Sequence, residues 1–403
     1  MAKTAGPNGS CGVKKVKITP CAPAAFPVQY IRLRIVYKER NVLRMERIGE
    51  KAYLVLENGR VFEGRRFGAP GELTAEVVFT TGMSGYLETV TDPSYWGQIV
   101  VQTFPLIGNY GVIPADFESD VVGPRGYIVK HWCQAPSNFR SEGSLDAFFK
   151  ERGLCALEGI DTRTLTKIIR EKGVMNGMIT SDPGRADIEA IKAYKVREVV
   201  RAVSTKERYV LGPEDAKVRI ALMDYGMKKN IAGELLKRGA RVTVCPCTTT
   251  AGELAEMDID GIMLSNGPGD PAENVELIEN LKDIYKLGKP MFGICLGHQL
   301  LALAHGAKTQ KLKYGHRGEN QPVKDLETGR VYITSQNHGY AVVGSSIPAE
   351  KGRELYVNVN DGTCEGLGYR DMPAFSVQFH PEACGGPLDT EWLFDRFFGM
   401  MGA

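Results

Sequence analysis

The chain has 403 residues, 43% hydrophobic and 24% charged, with a net charge of +2. Such values describe a soluble globular protein of two or three domains, with no basic excess for nucleic acid and no apolar run long enough to span a membrane. Nine Cys, an odd number without C-x-x-C spacing, read as reduced thiols of a cytoplasmic protein rather than a disulfide framework.

Residues 1–48 are basic, with frequent Pro and Gly and no sustained period. They read as a disordered extension or as a start placed upstream of the true one at Met45. An organellar presequence is the competing reading, weakened by the scarcity of Ser. Residues 49–205 read as a first domain of mixed α+β type. Asn58-Gly59 between two apolar runs predicts a hairpin with a type I′ turn. Strands are expected at Ala75–Thr80 and Gln98–Thr103, and helices at Ser144–Arg152 and Arg163–Lys172, the second capped by Asp161 or Thr162. Residues 206–217 read as a linker around the breaker Gly212-Pro213.

From residue 218 the pattern alternates strand and helix. Strands are expected at Val218–Met223, Arg241–Cys245, Ile262–Leu264 and Met291–Cys295, with helices at Lys228–Arg238 and Asn274–Lys286. That alternation predicts an α/β domain over 218–403, its mostly parallel sheet flanked by helices. Cys245-Pro246-Cys247 ends a strand and has no second Cys or His pair nearby, so no metal is expected there. A last amphipathic helix, Glu391–Met400, is expected to pack Trp392, Leu393, Phe397 and Phe398 on the sheet. No repeat is visible.

Chemistry concentrates in Gly293-Ile294-Cys295-Leu296-Gly297-His298-Gln299. An apolar strand, a small-residue turn and an apolar helix place Cys295 at the apex, the cysteine counterpart of the G-x-S-x-G elbow. A helix N-terminus there is expected to lower the thiol pKa and to expose the thiolate; a buried structural Cys is the bland alternative. A thiol nucleophile needs a base, and the base needs an orienter. Of six His, His305 reads as packed or capping and His298 as structural, one turn past the thiol. His131 belongs to the other domain, and His316 and His338 sit in expected loops without a carboxylate two positions on. His380 ends the apolar run 374–379, and Glu382 lies two positions further, on the same side of extended backbone. That is a Cys–His–carboxylate arrangement or a plain surface ion pair. The Gly-rich loop Ser265–Pro271 is either a simple turn or the source of a backbone donor. Donors from Gly267 and Leu296 would then form an oxyanion hole.

Together, the elbow, the Ser265–Pro271 loop and Gln378-Phe379-His380-Pro381-Glu382 resemble the class I, triad-type glutamine amidotransferases. Thr91-Asp92-Pro93-Ser94-Tyr95, Ser137-Asn138-Phe139-Arg140, Gly159–Thr166 and Asp224–Ile231 resemble the small-subunit family of carbamoyl-phosphate synthases. The resemblance runs from about residue 49 onward. It implies Cys295 as nucleophile, His380 as acid and base and Glu382 as its orienter, with Gly267 and Leu296 as oxyanion donors. It also implies glutamine contacts from Gly82, Gly267, Gly269, Leu296, Gln299, Asn337, Gly339 and Tyr340. Gly82 stands where some members have Ser, Tyr340 where Phe is frequent, and Cys384-Gly385 where Ser-Pro is usual. Further implied are a heterodimer, or a higher oligomer of heterodimers, and ammonia handed to a large subunit that uses bicarbonate and two ATP. The product would be carbamoyl phosphate for arginine and pyrimidine synthesis. No metal or cofactor is expected on this chain; ATP, Mg and K belong to the large subunit, in keeping with the absence of a Walker motif. The competing readings are a glutaminase subunit serving another synthase, a catalytically silent regulatory subunit, and a partner-free γ-glutamyl hydrolase.

Overall fold

The computed structural model describes residues 49–402. The reading of residues 1–48 lies outside that range. Among the described residues, no helix is long and apolar enough to cross a membrane.

The first half is built on a closed barrel of seven strands. Their order is Lys51–Leu56, Val61–Gly68, Cys155–Glu158, Gly126–Ile128, Gln98–Gln102, Leu73–Thr80 and Met175–Thr180. Leu73–Thr80, Gln98–Gln102, Gly126–Ile128 and Cys155–Glu158 run parallel in succession, and antiparallel pairs close the ring. Closure leaves no free edge. The two-residue period separates the faces: Leu54, Leu56, Val77, Ile99 and Val101 join one apolar cluster, and Val78, Val100 and Tyr127 another. The expected hairpin is present, but its turn is not type I′. Gly59 N donates to Leu56 O, Leu56 N donates to Arg60 O, and only Gly59 of the loop takes a positive φ, 81°. This is a longer loop with glycine in the left-handed position, which the right-handed twist of the strands also accepts. Both expected helices form, Leu145–Glu151 and Thr162–Lys172. Ser144 and Asp161 cap them, each side chain accepting a backbone N–H.

The second half carries a ten-stranded sheet. Its order is Tyr209–Leu211, Arg241–Pro246, Arg219–Asp224, Gly261–Leu264, Met291–Ile294, Ala374–Val377, Cys364–Tyr369, Gly352–Asn358, Lys308–Asp325 and Val331–Val343. The strands from Arg241–Pro246 to Ala374–Val377 in that order are mutually parallel. The rest add antiparallel, including an edge strand at Tyr209–Leu211, inside the stretch expected to be linker. Helices cover both faces. Leu277, Leu281, Leu300 and Leu301 bury one; Ile231, Leu235, Phe394 and Phe397 bury the other. The last helix, Trp392–Met400, packs Leu393, Phe394, Phe397 and Phe398 inward. Trp392 was expected on that face, but it turns outward at 37% exposure and lies by Tyr332, while Phe394 takes the buried position against Phe292. One turn of helix puts 393, 394, 397 and 398 on one stripe, which residue 392 misses.

Candidate active site

Met291–Ile294 is a fully buried strand, and Leu296–Ala304 begins one residue later. Cys295 joins them with φ 52° and ψ −103°, a conformation that side chains seldom adopt. Its N–H donates to Val377 O at 2.9 Å, and Gly297 N–H donates to Ser265 O at 3.0 Å. Both flanking glycines are required by space. A Cβ on Gly297 would stand 2.5 Å from Leu264 O, and one on Gly293 3.0 Å from Gly297 C and O. The expected elbow is therefore present.

Ile294 pairs with Val377 in the parallel sheet, so Cys295 and the segment ending at His380 leave the same edge of two neighbouring strands. His380 is anchored by its own N–H to Ser335 O at 2.9 Å, and its Nδ1 lies 2.6 Å from Glu382 Oε1. Both side chains are buried, which removes the surface ion-pair reading. Nδ1 thus binds the carboxylate, and the buried Nε2 has no hydrogen-bond partner. Asn230 Nδ2 holds the Glu382 carbonyl. Burial pushes the Glu382 carboxyl up, but His380 and Lys228 outweigh it and keep it below its ordinary range.

The thiol departs from expectation. Cys295 is only 2% exposed, and its pKa is pushed up to about 12. Burial contributes most and the Asp92 carboxylate next; Lys228 and the Leu296 N–H pull the other way but lose. The helix terminus does favour the thiolate, but desolvation of the buried thiol is the larger effect. Burial therefore favours the neutral thiol over the thiolate.

Asp92 and Lys228 are members of this charge set that sequence reasoning missed. Asp92 comes from the first half, buried, with its Oδ2 accepting from Asn337 Nδ2 at 2.9 Å and lying 3.4 Å from Lys228 Nζ. Burial raises Asp92, but Lys228, His380 and Asn337 hold it below its usual value. Burial lowers Lys228, yet Asp92, Glu118 and Glu382 keep it protonated above the ordinary lysine range. Glu118 is pushed up to about 7, mainly by burial, with Lys228 opposing. Further bonds cross the same junction. Ser94 Oγ accepts from Asn266 Nδ2 at 2.9 Å, and Glu118 O accepts from Lys229 N at 2.6 Å. Asp92 and Lys228 lie in Thr91–Tyr95 and Asp224–Ile231, segments that carry the family resemblance, and each stands immediately before a helix.

A cavity of about 500 Å³ opens on Cys295 and is lined by Gly267, Gly269, Gln299, Asn337, Gly339 and Tyr340. Gly267 packs where a Cβ would stand 2.2 Å from Tyr225 O and 2.8 Å from the Leu296 side chain, so the loop can approach the elbow only as glycine. Gln299 Nε2 is fixed by Tyr340 O at 2.7 Å and Gln378 Oε1 at 2.9 Å. Of the predicted contacts, Leu296 and Gly82 do not line this cavity. Gly82 is buried, bonded through its O to Gln102 Nε2 at 2.7 Å, and faces Glu319 beside a smaller cavity of about 50 Å³. Cys384 lines that second cavity; it is exposed, its thiol is pushed up to about 11 by partial burial, and it has no elbow.

His298 and His305 behave as expected. Nδ1 of the first meets Ser376 Oγ at 2.8 Å, and burial drops its pKa to about 3. Nδ1 of the second meets Leu301 O at 2.8 Å. His316 and His338 lie on strands rather than loops. Together with Glu365 they could present three atoms to a metal ion. Those atoms already bind one another's neighbours: His316 spans Asp361 at 2.9 Å and Glu365 at 3.3 Å, and His338 spans Tyr340 O and Gln336 Oε1. The cluster is a satisfied polar network.

An elbow cysteine and a carboxylate-bound histidine thus stand on a parallel α/β sheet, and residues 221–400 match the family model described as glutamine amidotransferase class-I. Residues 54–179 match carbamoyl-phosphate synthase small chain, CPSase domain. The chain is 51% identical over 351 residues to the carbamoyl phosphate synthase small chain of Clostridium perfringens (strain 13 / Type A), covering 86% of this chain and 98% of that one. It is also 51% identical over 356 residues to that of Bacillus caldolyticus, covering 87% and 96%. The chain belongs to the carbamoyl-phosphate synthase small chain family, whose members carry the glutamine-hydrolysing amidotransferase domain.

Proposed function

We propose that this chain hydrolyses L-glutamine through a Cys295 thioester and passes the ammonia to a large synthetase subunit. The observation that carries the reading is His380, bound to Glu382 through Nδ1 with a buried, unpartnered Nε2, at the strand edge that also bears Cys295. His380 Nε2 takes the thiol proton as Cys295 attacks the side-chain amide carbon of glutamine. Glu382 fixes the tautomer and steadies the imidazolium. The tetrahedral oxyanion is held by the N–H groups of Gly267 and Leu296, each such donor contributing about 2.7–4 kcal/mol in the transition state. Collapse expels ammonia, protonated by His380, and leaves the γ-glutamyl thioester. Water, deprotonated by the same Nε2, then releases glutamate. Gln299, Asn337, Gly339, Tyr340 and Gly269 shape the glutamine cavity.

Ammonia released in water at neutral pH becomes ammonium, which is not a nucleophile, so a direct handover to the partner has a chemical reason. The partner would supply ATP, Mg and K chemistry with bicarbonate, and carbamoyl phosphate would feed arginine and pyrimidine synthesis. Acid quenching during turnover with glutamine, followed by peptide mass spectrometry, tests the mechanism. A γ-glutamyl adduct on the Cys295 peptide is expected; turnover with the adduct on Cys384, or with none, would overturn it.

A further inference from the structure

We propose that Val199 is a positioning residue for the first chemical step. From the segment that connects the two halves, it holds the Gly267–Gly269 backbone against the Cys295 elbow. The inference rests on the glutaminase reading of that elbow and names what keeps its loop in place.

Among the described residues, two that are not glycine take a positive φ, Cys295 and Glu198, each at 52°. Left-handed backbone is strained for a residue with a Cβ, and it persists only where the surroundings over-determine it. Glu198 is exposed, and its side chain makes no cap on the helix it precedes. Its backbone turns the chain into the short helix Val199–Val203, whose first two residues are buried, Val199 at 7% and Val200 at 0% exposure. The strain therefore goes with the placement of these two valines.

Val199 meets the loop directly. A Cβ on Gly269 would stand 2.3 Å from a Val199 methyl. One turn on, a Cβ on Gly226 would stand 2.8 Å from a Val203 methyl, 3.0 Å from the Pro268 ring and 3.2 Å from Gly267 Cα, so all three crowd one point. Val199, Gly267, Gly269 and Cys295 line one cavity. The loop's flanks have their own anchors. Asn266 Oδ1 accepts from Lys228 N at 3.0 Å and its Nδ2 donates to Ser94 Oγ at 2.9 Å, while Asp270 Oδ1 accepts from Ala272 N at 2.9 Å. Between them, Gly267 and Gly269 have the widest choice of backbone conformations and no side chain to limit it. Packing from outside must select the one that aims the Gly267 N–H.

The connecting segment is itself pinned on both sides of the helix. Before it, Tyr194 O accepts from Asn176 Nδ2 at 3.0 Å, and Val196 packs on Gly97, where a Cβ would stand 2.9 Å from its methyl. After it, Ser204 Oγ accepts from Cys247 N at 2.9 Å, and Thr205 N donates to Asp224 Oδ2 at 2.7 Å. Asp224 Oδ1 also accepts from Gly226 N at 2.9 Å, so one carboxylate fixes both the connecting segment and the turn beside the loop. Arg201 pairs with Glu276, on the helix that follows the loop. A rigid support is what an oxyanion donor needs, since a misplacement of about 1 Å costs about 100-fold in rate.

The test compares Val199→Ala with Val199→Thr, which keeps the branched shape against Gly269, each as the full-length chain purified with its synthetase partner. Rapid acid quench of the first turnover, with the Cys295 adduct counted by mass spectrometry, gives the rate constant of thioester formation against glutamine concentration. That constant does not depend on how much of a variant is folded, and a purely structural role would leave it unmoved. Val199→Ala is expected to lower the saturating rate constant by about 10- to 100-fold, with little change in the glutamine concentration that half-saturates it. Val199→Thr is expected to stay close to wild type. An unchanged rate constant in Val199→Ala, or an equal loss in Val199→Thr, would overturn the positioning role alone. Turnover by wild type without an adduct would overturn the glutaminase reading and the positioning role with it.

Discussion

Cys295 is held as a neutral thiol by burial and by Asp92, and Lys228 opposes them. The balance makes opposite predictions for two substitutions. Asp92→Asn removes a negative neighbour, so the thiolate should form at lower pH; Lys228→Met removes a positive one, so it should form at higher pH. Iodoacetamide labelling of Cys295 against pH, read by mass spectrometry, gives both midpoints, and shifts of the same sign would contradict the account. Glu118 carries a different signature. Its folded pKa, about 7, lies above the ordinary 4.5, so the folded state holds the proton more tightly. The stability this contributes is complete below about 4.5 and is lost as pH rises through about 7. Glu118→Gln should therefore gain in melting temperature on wild type as pH rises across that window, and a pH-independent difference would refute it. Cys295, His380 and Glu382 stand out in the sequence because each sits in a short local pattern. Asp92 and Lys228 were not assigned roles, because their partners are distant in the chain and only folding brings them together.

At the scale of elements, the elbow depends on the closeness of the Leu296–Ala304 helix to the neighbouring strand. Gly297→Ala puts a methyl 2.5 Å from Leu264 O, against backbone that cannot yield cheaply. Forced overpacking of this kind costs about 1–3 kcal/mol. Urea unfolding should show a loss of that order, and an unchanged midpoint would mean the helix is free to shift. The strand Met291–Ile294 and the helix after it were legible because burial on both sides leaves an unbroken apolar run. The long pair Lys308–Asp325 and Val331–Val343 was not. It is polar on much of its surface, register shifts interrupt it, and it buries the polar side chains of Arg317, Asn337 and His338. The hairpin at Asn58-Gly59 was found, but its turn type was misread, because sequence does not distinguish one residue at positive φ from two.

Across the whole molecule, the barrel and the ten-stranded sheet share a polar junction at the site. Asn266 reaches Ser94, Asn337 reaches Asp92, Lys311 reaches Glu76, and Thr81 binds Arg317. Two class-level features, the alternating strand–helix pattern and the mixed first half, were readable from composition and period. The closed barrel was not, since closure depends on strand pairing that no local pattern states. Expressed alone, residues 218–403 would keep Cys295, His380 and Glu382 but lose Asp92 and its bond to Asn337. That fragment should fall at least about tenfold in kcat/KM for glutamine, the equivalent of one lost buried interaction of about 1.4 kcal/mol. Full activity would show that the first half serves only the partner.

The most direct test is carbamoyl phosphate synthesis by the complex of Cys295→Ser with the large subunit, supplied in turn with glutamine and with ammonium salt. Glutamine-dependent synthesis should disappear while ammonia-dependent synthesis persists. Unchanged synthesis from glutamine in that variant would contradict the mechanism.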